Sequence, residues 1–133
     1  MIYVKAPLRI SLGGGGTDLP WWYKNNGGYL ISASIDKYVH IIGSKRMHDD
    51  KIWLSYSTNE ITDNILDLKN EIFKECLNIM NIKKSIEIHS MSDVPGNSGL
   101  GSSGAFISNL LYFLFKIKRE NVSKKELAEL ACK

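Results

Sequence analysis

Two glycine-rich segments hold the residues whose types and spacing can do chemistry. The first is Ala6-Pro7-Leu8-Arg9-Ile10-Ser11-Leu12-Gly13-Gly14-Gly15-Gly16-Thr17-Asp18-Leu19, a strand-like apolar run with one arginine that ends in four glycines and a Thr-Asp pair. The second is Asp93-Val94-Pro95-Gly96-Asn97-Ser98-Gly99-Leu100-Gly101-Ser102-Ser103-Gly104-Ala105, which runs straight into an apolar helical stretch. The first has the makings of a seat for a small polar substrate, the second of a seat for phosphate. Together they point to a kinase.

The second segment has the layout of an anion site. Gly96, Gly99, Gly101 and Gly104 alternate with Ser98, Ser102 and Ser103. Glycines let several backbone N–H groups converge, and a helix N-terminus adds positive potential. Serine hydroxyls can bond phosphate oxygens or ligate magnesium. No Gly-Lys-Ser/Thr occurs, which excludes a P-loop of the Walker type. Gly99-x-Gly101-x-x-Gly104 matches the bare dinucleotide fingerprint. That fingerprint belongs near the first strand of a βαβ unit, with an acid at the tip of the second strand. Glu120 has the rough spacing but leads into another helix, so the dinucleotide reading is weak.

The elements that must position these segments follow from hydrophobic periodicity. Residues 2–12 read as one or two strands, with Pro7 tolerable at an edge or break. A loop over 13–26, with a helical turn at 19–24, closes at Gly27-Gly28. Strands are expected over 29–35 and 38–45 around a turn at Asp36-Lys37, then over 52–57. Leu66, Ile72, Phe73, Cys76, Leu77 and Met80 fall on one helical face over 66–80. Residues 86–89 alternate as a strand, and the glycine loop passes into a helix over 102–118. Ser123, with Glu126 three residues on, forms a capping box for a last helix. That helix reaches Lys133 with no C-cap glycine and no following strand, so the chain is expected to be the truncated first part of a longer one.

Composition sets the class. The 133 residues are enough for one domain and one sizeable core. With 44% hydrophobic and 23% charged residues the chain reads as globular. The net charge of +3 is spread out, and basic clusters such as Lys124-Lys125 read as solvated helix ends, so nucleic acid is not an expected partner. The longest apolar run, residues 110–115, is too short to span a membrane, and the N-terminus reads as a strand rather than a leader. Cys76 and Cys132 stand alone on helices, as packed, reduced thiols of a cytoplasmic protein. His40, His48 and His89 lack metal-ligand spacing. Asp36 and Asp93 read as turn and loop residues. Trp21, Trp22 and Tyr23 fit either a sugar-site wall or the core. There is no internal repeat and no low-complexity tract.

Pro95-x-x-x-Gly99-Leu100-Gly101-Ser102-Ser103 resembles the second conserved motif of the GHMP kinases, and Ala6-Pro7-x-Arg9 with Gly14 and Thr17-Asp18 resembles their first motif in its sugar-kinase form. The resemblance runs over all 133 residues but only over the N-terminal, ATP-binding part of such a kinase. It implies an α+β fold like domain 2 of ribosomal protein S5, a mixed sheet with helices on one side, and a second, C-terminal GHMP domain that is missing here. It assigns Pro95, Gly96, Asn97, Ser98, Gly99, Leu100, Gly101, Ser102 and Ser103 to ATP, with Ser102 as a ligand of Mg2+. Arg9 would lie near the attacking hydroxyl and stabilise its developing charge, and Asp18 would bind substrate hydroxyls and orient Arg9. Gly13, Gly14, Gly15, Gly16 and Thr17 would complete the substrate seat. The family's magnesium-binding Glu, its catalytic Asp and its third motif match nothing up to Lys133. On this resemblance the chain alone is catalytically incomplete and has apolar surface prone to self-association.

The substrate expectation rests on the first motif. Galactokinases read Gly-Glu-His-Thr-Asp there, whereas this chain has Gly14-Gly15-Gly16-Thr17-Asp18. Losing the carboxylate lifts repulsion toward an anionic substrate, and consecutive glycines offer N–H donors to a phosphate. The Gly-Gly-Gly-Thr-Asp-Leu form followed by Pro20-Trp21-Trp22 resembles the branch acting on the anomeric hydroxyl of D-glycero-D-manno-heptose 7-phosphate, on the route to GDP-heptose. Fucokinase-like and galactokinase-like readings stand behind it, as does a non-catalytic nucleotide-binding remnant.

Overall fold

The computed structural model describes residues 1–132. Five strands form one sheet: β1 (Ile2–Gly13), β2 (Ile31–Lys45), β3 (Ile52–Ser55), β4 (Asn59–Thr62) and β5 (Ile86–Ser92). Four helices accompany them: α1 (Pro20–Asn26), α2 (Glu71–Ile79), α3 (Ser102–Lys118) and α4 (Lys124–Ala131). Single 3-10 turns sit at Gly15–Asp18 and Ile65–Asp67. The strand order is β1-β2-β5-β3-β4. Only β3 and β5 run parallel, joined by a crossover that contains β4 and α2, so the sheet is mixed.

Alternation along the strands decides which face is covered. Val4, Val39, Ile41, Ile52, Leu54, Ile86 and Ile88 point into the core. There they meet Phe73, Cys76 and Leu77 of α2 and Leu110, Leu111, Phe113, Leu114 and Ile117 of α3. Asn109 is the one polar residue of α3 in this layer. Its amide donates to the carbonyls of Val39 (3.0 Å) and Val4 (3.4 Å), pinning the helix across β1 and β2. Near β4, Glu60 is also buried. Burial pushes its carboxyl upward, but hydrogen bonds from Tyr56 and from the amides of Lys69 and Asn70 outweigh that and hold it below its ordinary value.

The opposite face carries Tyr3, His40, Trp53, Glu87 and His89. At its far end the Arg46 guanidinium bonds Asp49 through Nε (2.6 Å) and Nη2 (2.7 Å) and Glu87 through Nη1 (2.9 Å), and it lies 5.2 Å from the Trp53 ring centre.

Several expectations are met and several change. Helix α3 spans 102–118 as the pattern predicts, and Ser123 and Glu126 bond reciprocally as a capping box. Pro7 sits on β1, an edge strand, where a missing N–H costs little. The expected turn at Asp36-Lys37 does not form. β2 runs on through it, and residues 35–37 span on β2 what Leu8 alone spans on β1, so Asp36 belongs to a bulge. The helix expected over 66–80 starts at Glu71, because the Asn70 side chain accepts from the amides of Ile72 and Phe73 and caps it there. Leu66 is therefore left out of the buried stripe and is 66% exposed. β4 is an addition, and β5 runs three residues past 89. Lys133, where the last helix was expected to run out, lies outside the described residues.

No helix among the described residues is long and apolar enough to cross a membrane. Of the two thiols Cys76 is buried, and burial pushes it up to about 11. Cys132, expected to pack, is exposed, because it follows the last residue of α4, whose Leu127, Leu130 and Ala131 make the contact with the core. A thiol reagent at pH 8 should label Cys132 within minutes and Cys76 only on unfolding, as read by mass spectrometry. Fast labelling of both would contradict this packing of α2.

Candidate active site

The end of β5 and the start of α3 build the phosphate-type loop. Asp93 leaves the sheet, residues 94–101 wind through left-handed backbone at Asn97, Gly99 and Gly101, and α3 begins at Ser102. Gly101 is the N-cap residue and supplies no side chain to cap the helix. The amides of the first turn are therefore left facing outward, as an anion site requires. Ser102 is half-buried, while Ser103, Gly96, Asn97, Ser98, Gly99 and Pro95 are exposed, so the loop is open to a ligand. The loop follows β5, an inner strand, and α3 is followed by a second helix rather than a strand. This arrangement is incompatible with the dinucleotide fingerprint.

The two glycine segments meet. At the point where β1 loses register beside Leu8, the Arg9 amide donates to the Leu100 carbonyl at 3.1 Å. The Arg9 side chain then lies over Gly101, where an added Cβ would come within 3.0 Å of Nε and 3.1 Å of Cγ. Gly101 is thus required twice, for φ +71° and for room under the arginine. Arg9 and the phosphate loop are brought together. Arg9 and Asp18 are not, because no hydrogen bond or ion pair joins them among the described residues, so the expectation that Asp18 orients Arg9 is not met.

Behind Arg9 the glycine run turns back on the start of β2. Gly14 has φ +81°, and a Cβ there would fall 1.9 Å from the Tyr29 carbonyl oxygen. Thr17 holds the closure. Its hydroxyl lies 2.8 Å from the Gly14 carbonyl and 2.8 Å from the Tyr29 carbonyl, and it accepts the Tyr29 amide at 3.0 Å. That hydroxyl is occupied by the loop itself, so any contact of Thr17 with substrate runs through its backbone. Gly13 and Gly16 have open space where a Cβ would stand, and Gly15 faces Ser11 at 3.5 Å. Asp18 lines a cleft of about 440 Å³ with Thr17, Tyr23, Gly28, Tyr29 and Leu30. Trp21, Trp22 and Tyr23 are 67%, 39% and 44% exposed, which removes the core alternative for them.

A second cleft, of about 500 Å³, opens beside the N-terminus of α3. Ser102 and Ser103 stand at one side, and Tyr56, Ile72, Met91 and Phe106 form apolar wall. These four escape a sequence reading because they lie on four different elements or loops and share no spacing. Only the fold gathers them. Among the described residues no group of three His, Cys, Asp or Glu side chains is placed to hold a metal ion. Ser102 offers one hard oxygen, which suits magnesium only as a partner to phosphate oxygens and water.

The matching family is the GHMP kinases N terminal domain, over residues 64–133. The chain belongs to this family. A curated relative, D-glycero-alpha-D-manno-heptose 7-phosphate kinase of Campylobacter jejuni, is 32% identical over 98% of this chain and 42% of its own length. The crystal structure of a D-glycero-D-manno-heptose 1-phosphate kinase from Bacteroides thetaiotaomicron superposes with a TM-score of 0.86 at 23% identity, covering 98% of this chain and 46% of that one. Lactococcus lactis galactokinase complexed with galactose gives 0.78 at 26% identity, over 97% and 36%. The chain therefore spans less than half the length of these relatives, and the mixed sheet with its helices is the fold of the family's N-terminal part.

Replacing Thr17 tests the clasp. Thr17→Val should cost about 1 kcal/mol in urea unfolding and speed hydrogen exchange at the Tyr29 amide, whereas Thr17→Ser should do neither. Equal behaviour of the two variants would mean that the hydroxyl does not close the loop.

Proposed function

We propose that the protein is the ATP-binding part of a sugar kinase that transfers the γ-phosphoryl group of MgATP to the anomeric hydroxyl of a heptose phosphate, D-glycero-D-manno-heptose 7-phosphate first among candidates. The observation that carries the kinase reading is the uncapped N-terminus of α3 behind a Gly/Ser loop, with Arg9 tied to that loop by backbone and side chain. Phosphoryl transfer asks a protein chiefly for positioning and for spreading charge.

In this reading the first-turn amides of α3 and the hydroxyls of Ser102 and Ser103 hold the β- and γ-phosphates. The nucleotide base lies in the cleft walled by Tyr56, Ile72, Met91 and Phe106. Ser102 would be a ligand of magnesium bound with the nucleotide, where the ion would offset phosphate charge. The sugar oxygen attacks phosphorus, the bond to the ADP oxygen breaks, and Arg9 stabilises the charge developing between them. Asp18 accepts hydrogen bonds from sugar hydroxyls, and the open faces of Gly13 and Gly16 leave space for a substrate phosphate. The hydroxyl proton is released to solvent water as the new P–O bond forms.

The heptose assignment is supported by the Campylobacter relative and by the uncharged glycine run. The two heptose kinase names differ on whether the sugar carries its phosphate at position 7 or position 1. A fucokinase-like or galactokinase-like substrate is the second reading, supported by the galactokinase likeness. ATP as donor puts the reaction in the cytoplasm, with a small molecule rather than nucleic acid or membrane as partner. The exposed Trp21, Trp22 and Tyr29 are candidates for self-association.

Titration calorimetry with a non-hydrolysable MgATP analogue tests the nucleotide half. Ser102→Ala should weaken binding about tenfold through a lost charge-assisted hydrogen bond. Gly101→Val should abolish it, because the new side chain is strained at positive φ and displaces Arg9. Unchanged affinity in both variants sinks the phosphate-loop assignment. The sugar half is tested by titrating heptose 7-phosphate, heptose 1-phosphate, free heptose, fucose and galactose into the analogue-bound protein. Tightest binding of the 7-phosphate is expected, and a preference for any unphosphorylated sugar overturns the substrate reading.

A further inference from the structure

The ladder between β2 and β5 ends in an unusual way. Asp93 donates its own amide to the Tyr38 carbonyl at 3.0 Å, as a strand residue would. The return bond is made by its side chain, whose Oδ2 accepts the Tyr38 amide at 2.8 Å. The carboxylate stands in for the backbone carbonyl that a continuing strand would have supplied. The main chain is thereby released from the sheet at residue 93 without orphaning Tyr38, and the next residues are Val94, Pro95 and the glycine loop. The other oxygen is used as well, since Oδ1 lies 3.1 Å from His40 Nε2. A carboxylate only accepts, so Nε2 carries the proton and Nδ1 accepts from the Tyr3 hydroxyl at 2.8 Å. Tyr3 on β1, His40 on β2 and Asp93 at the end of β5 thus form one line across three strands, ending where the phosphate loop begins.

We infer that Asp93 is a positioning residue for nucleotide binding: by replacing a strand carbonyl and bracing on His40 and Tyr3, it fixes where the phosphate loop leaves the sheet. The inference rests on the nucleotide reading above for its function, though its structural half stands without it. The loop needs such a support because its bond from Arg9 to Leu100 lies at its far end, and at its near end it has only the long bond from the Val94 amide to the Ser92 hydroxyl at 3.3 Å among the described residues. Asp93 thus anchors one end of residues 94–101 and Arg9 the other. Ligand-binding groups keep their geometry only when their supports are locked.

Three variants separate this role from general stability. Asp93→Ala removes both acceptors. Asp93→Asn keeps them in kind, since its oxygen can accept from Tyr38 while its amide donates to His40 in the other tautomer. Asp49→Ala is the matched control, a carboxylate that accepts the Lys51 amide and the Arg46 guanidinium at the opposite end of β2 and β5. Two quantities are measured, affinity for the MgATP analogue and hydrogen exchange of the amides over 94–104.

Asp93→Ala should lose about tenfold in affinity and exchange faster over that loop, with Asp93→Asn restoring both and Asp49→Ala lowering the melting temperature while changing neither. Wild-type affinity and exchange in Asp93→Ala overturn the inference. An equal effect of Asp49→Ala overturns it too, since the cause would then be stability alone. If the wild-type protein binds no nucleotide, the kinase reading fails instead, and the exchange data alone decide whether Asp93 fixes the loop.

Discussion

The bond from the Arg9 amide to the Leu100 carbonyl is the point on which the site turns. It exists because β1 is the edge of the sheet and the Arg9 amide faces outward from it, next to a break in register beside Leu8. Leu8 itself is fully buried, while three residues of β2 bulge past it. Along β1 the backbone groups of alternate residues point away from β2, and Arg9 is one of these. The open edge leaves its amide to the glycine loop, and the loop carries the N-terminus of α3 to the arginine. An unpaired sheet edge is thus converted into proximity between a cationic side chain and a helix end with positive potential. Two positive features placed together have one common use, which is to hold and stabilise negative charge.

The chain divides into a part held by its core and a part held by hydrogen bonds. The core face of the sheet with α2 and α3 holds most of the fully buried side chains, among them Phe73, Phe113, Ile41, Leu54, Ile88 and Leu110. Residues 9–36 are exposed almost throughout, and their shape rests on the Thr17 clasp, the tight passage at Gly14 and the turn of α1. The proposed site sits on the border. The glycine loop before α3 belongs to the rigid part through that helix, whose Asn109 bonds both β1 and β2. The glycine run of residues 13–16 belongs to the looser part, where few apolar contacts resist local opening.

How much of this was legible depended on the range of the interaction that decided it. Helix α3 and the capping box at Ser123 were legible because periodicity and caps are local. So was the glycine loop leading into α3, since Gly acts on its own backbone. The break at Asn70 was readable in principle, as Asn is a good N-cap, but the apolar period of residues 66–80 runs across it and masks the signal. The continuity of β2 through Asp36 was not readable, because the bulge is paired against β1 and answers to the burial of Leu8. β4 was missed for the same reason: Asn59–Thr62 has little β character, and its pairing with β3 is held by the buried Glu60. The cleft beside the N-terminus of α3 draws on four separate segments and leaves no trace in any one of them.

The glycines of the two segments do two different jobs, and the difference bears on specificity. Gly14 and Gly101 set geometry, because both have positive φ, and a side chain would collide with the Tyr29 backbone at the first and crowd Arg9 at the second. Gly13, Gly16, Gly96 and Gly104 stand against empty space, so nothing in the protein itself demands a glycine there. A residue without a side chain that the fold does not need is most simply explained by something that approaches from outside. On the second loop that is consistent with nucleotide phosphates. On the first, Gly13 and Gly16 stand near the Thr17 clasp with no protein atom within 4 Å of where a Cβ would be. In the proposed function that open space takes the phosphate of the sugar, and a side chain at either position would compete with it.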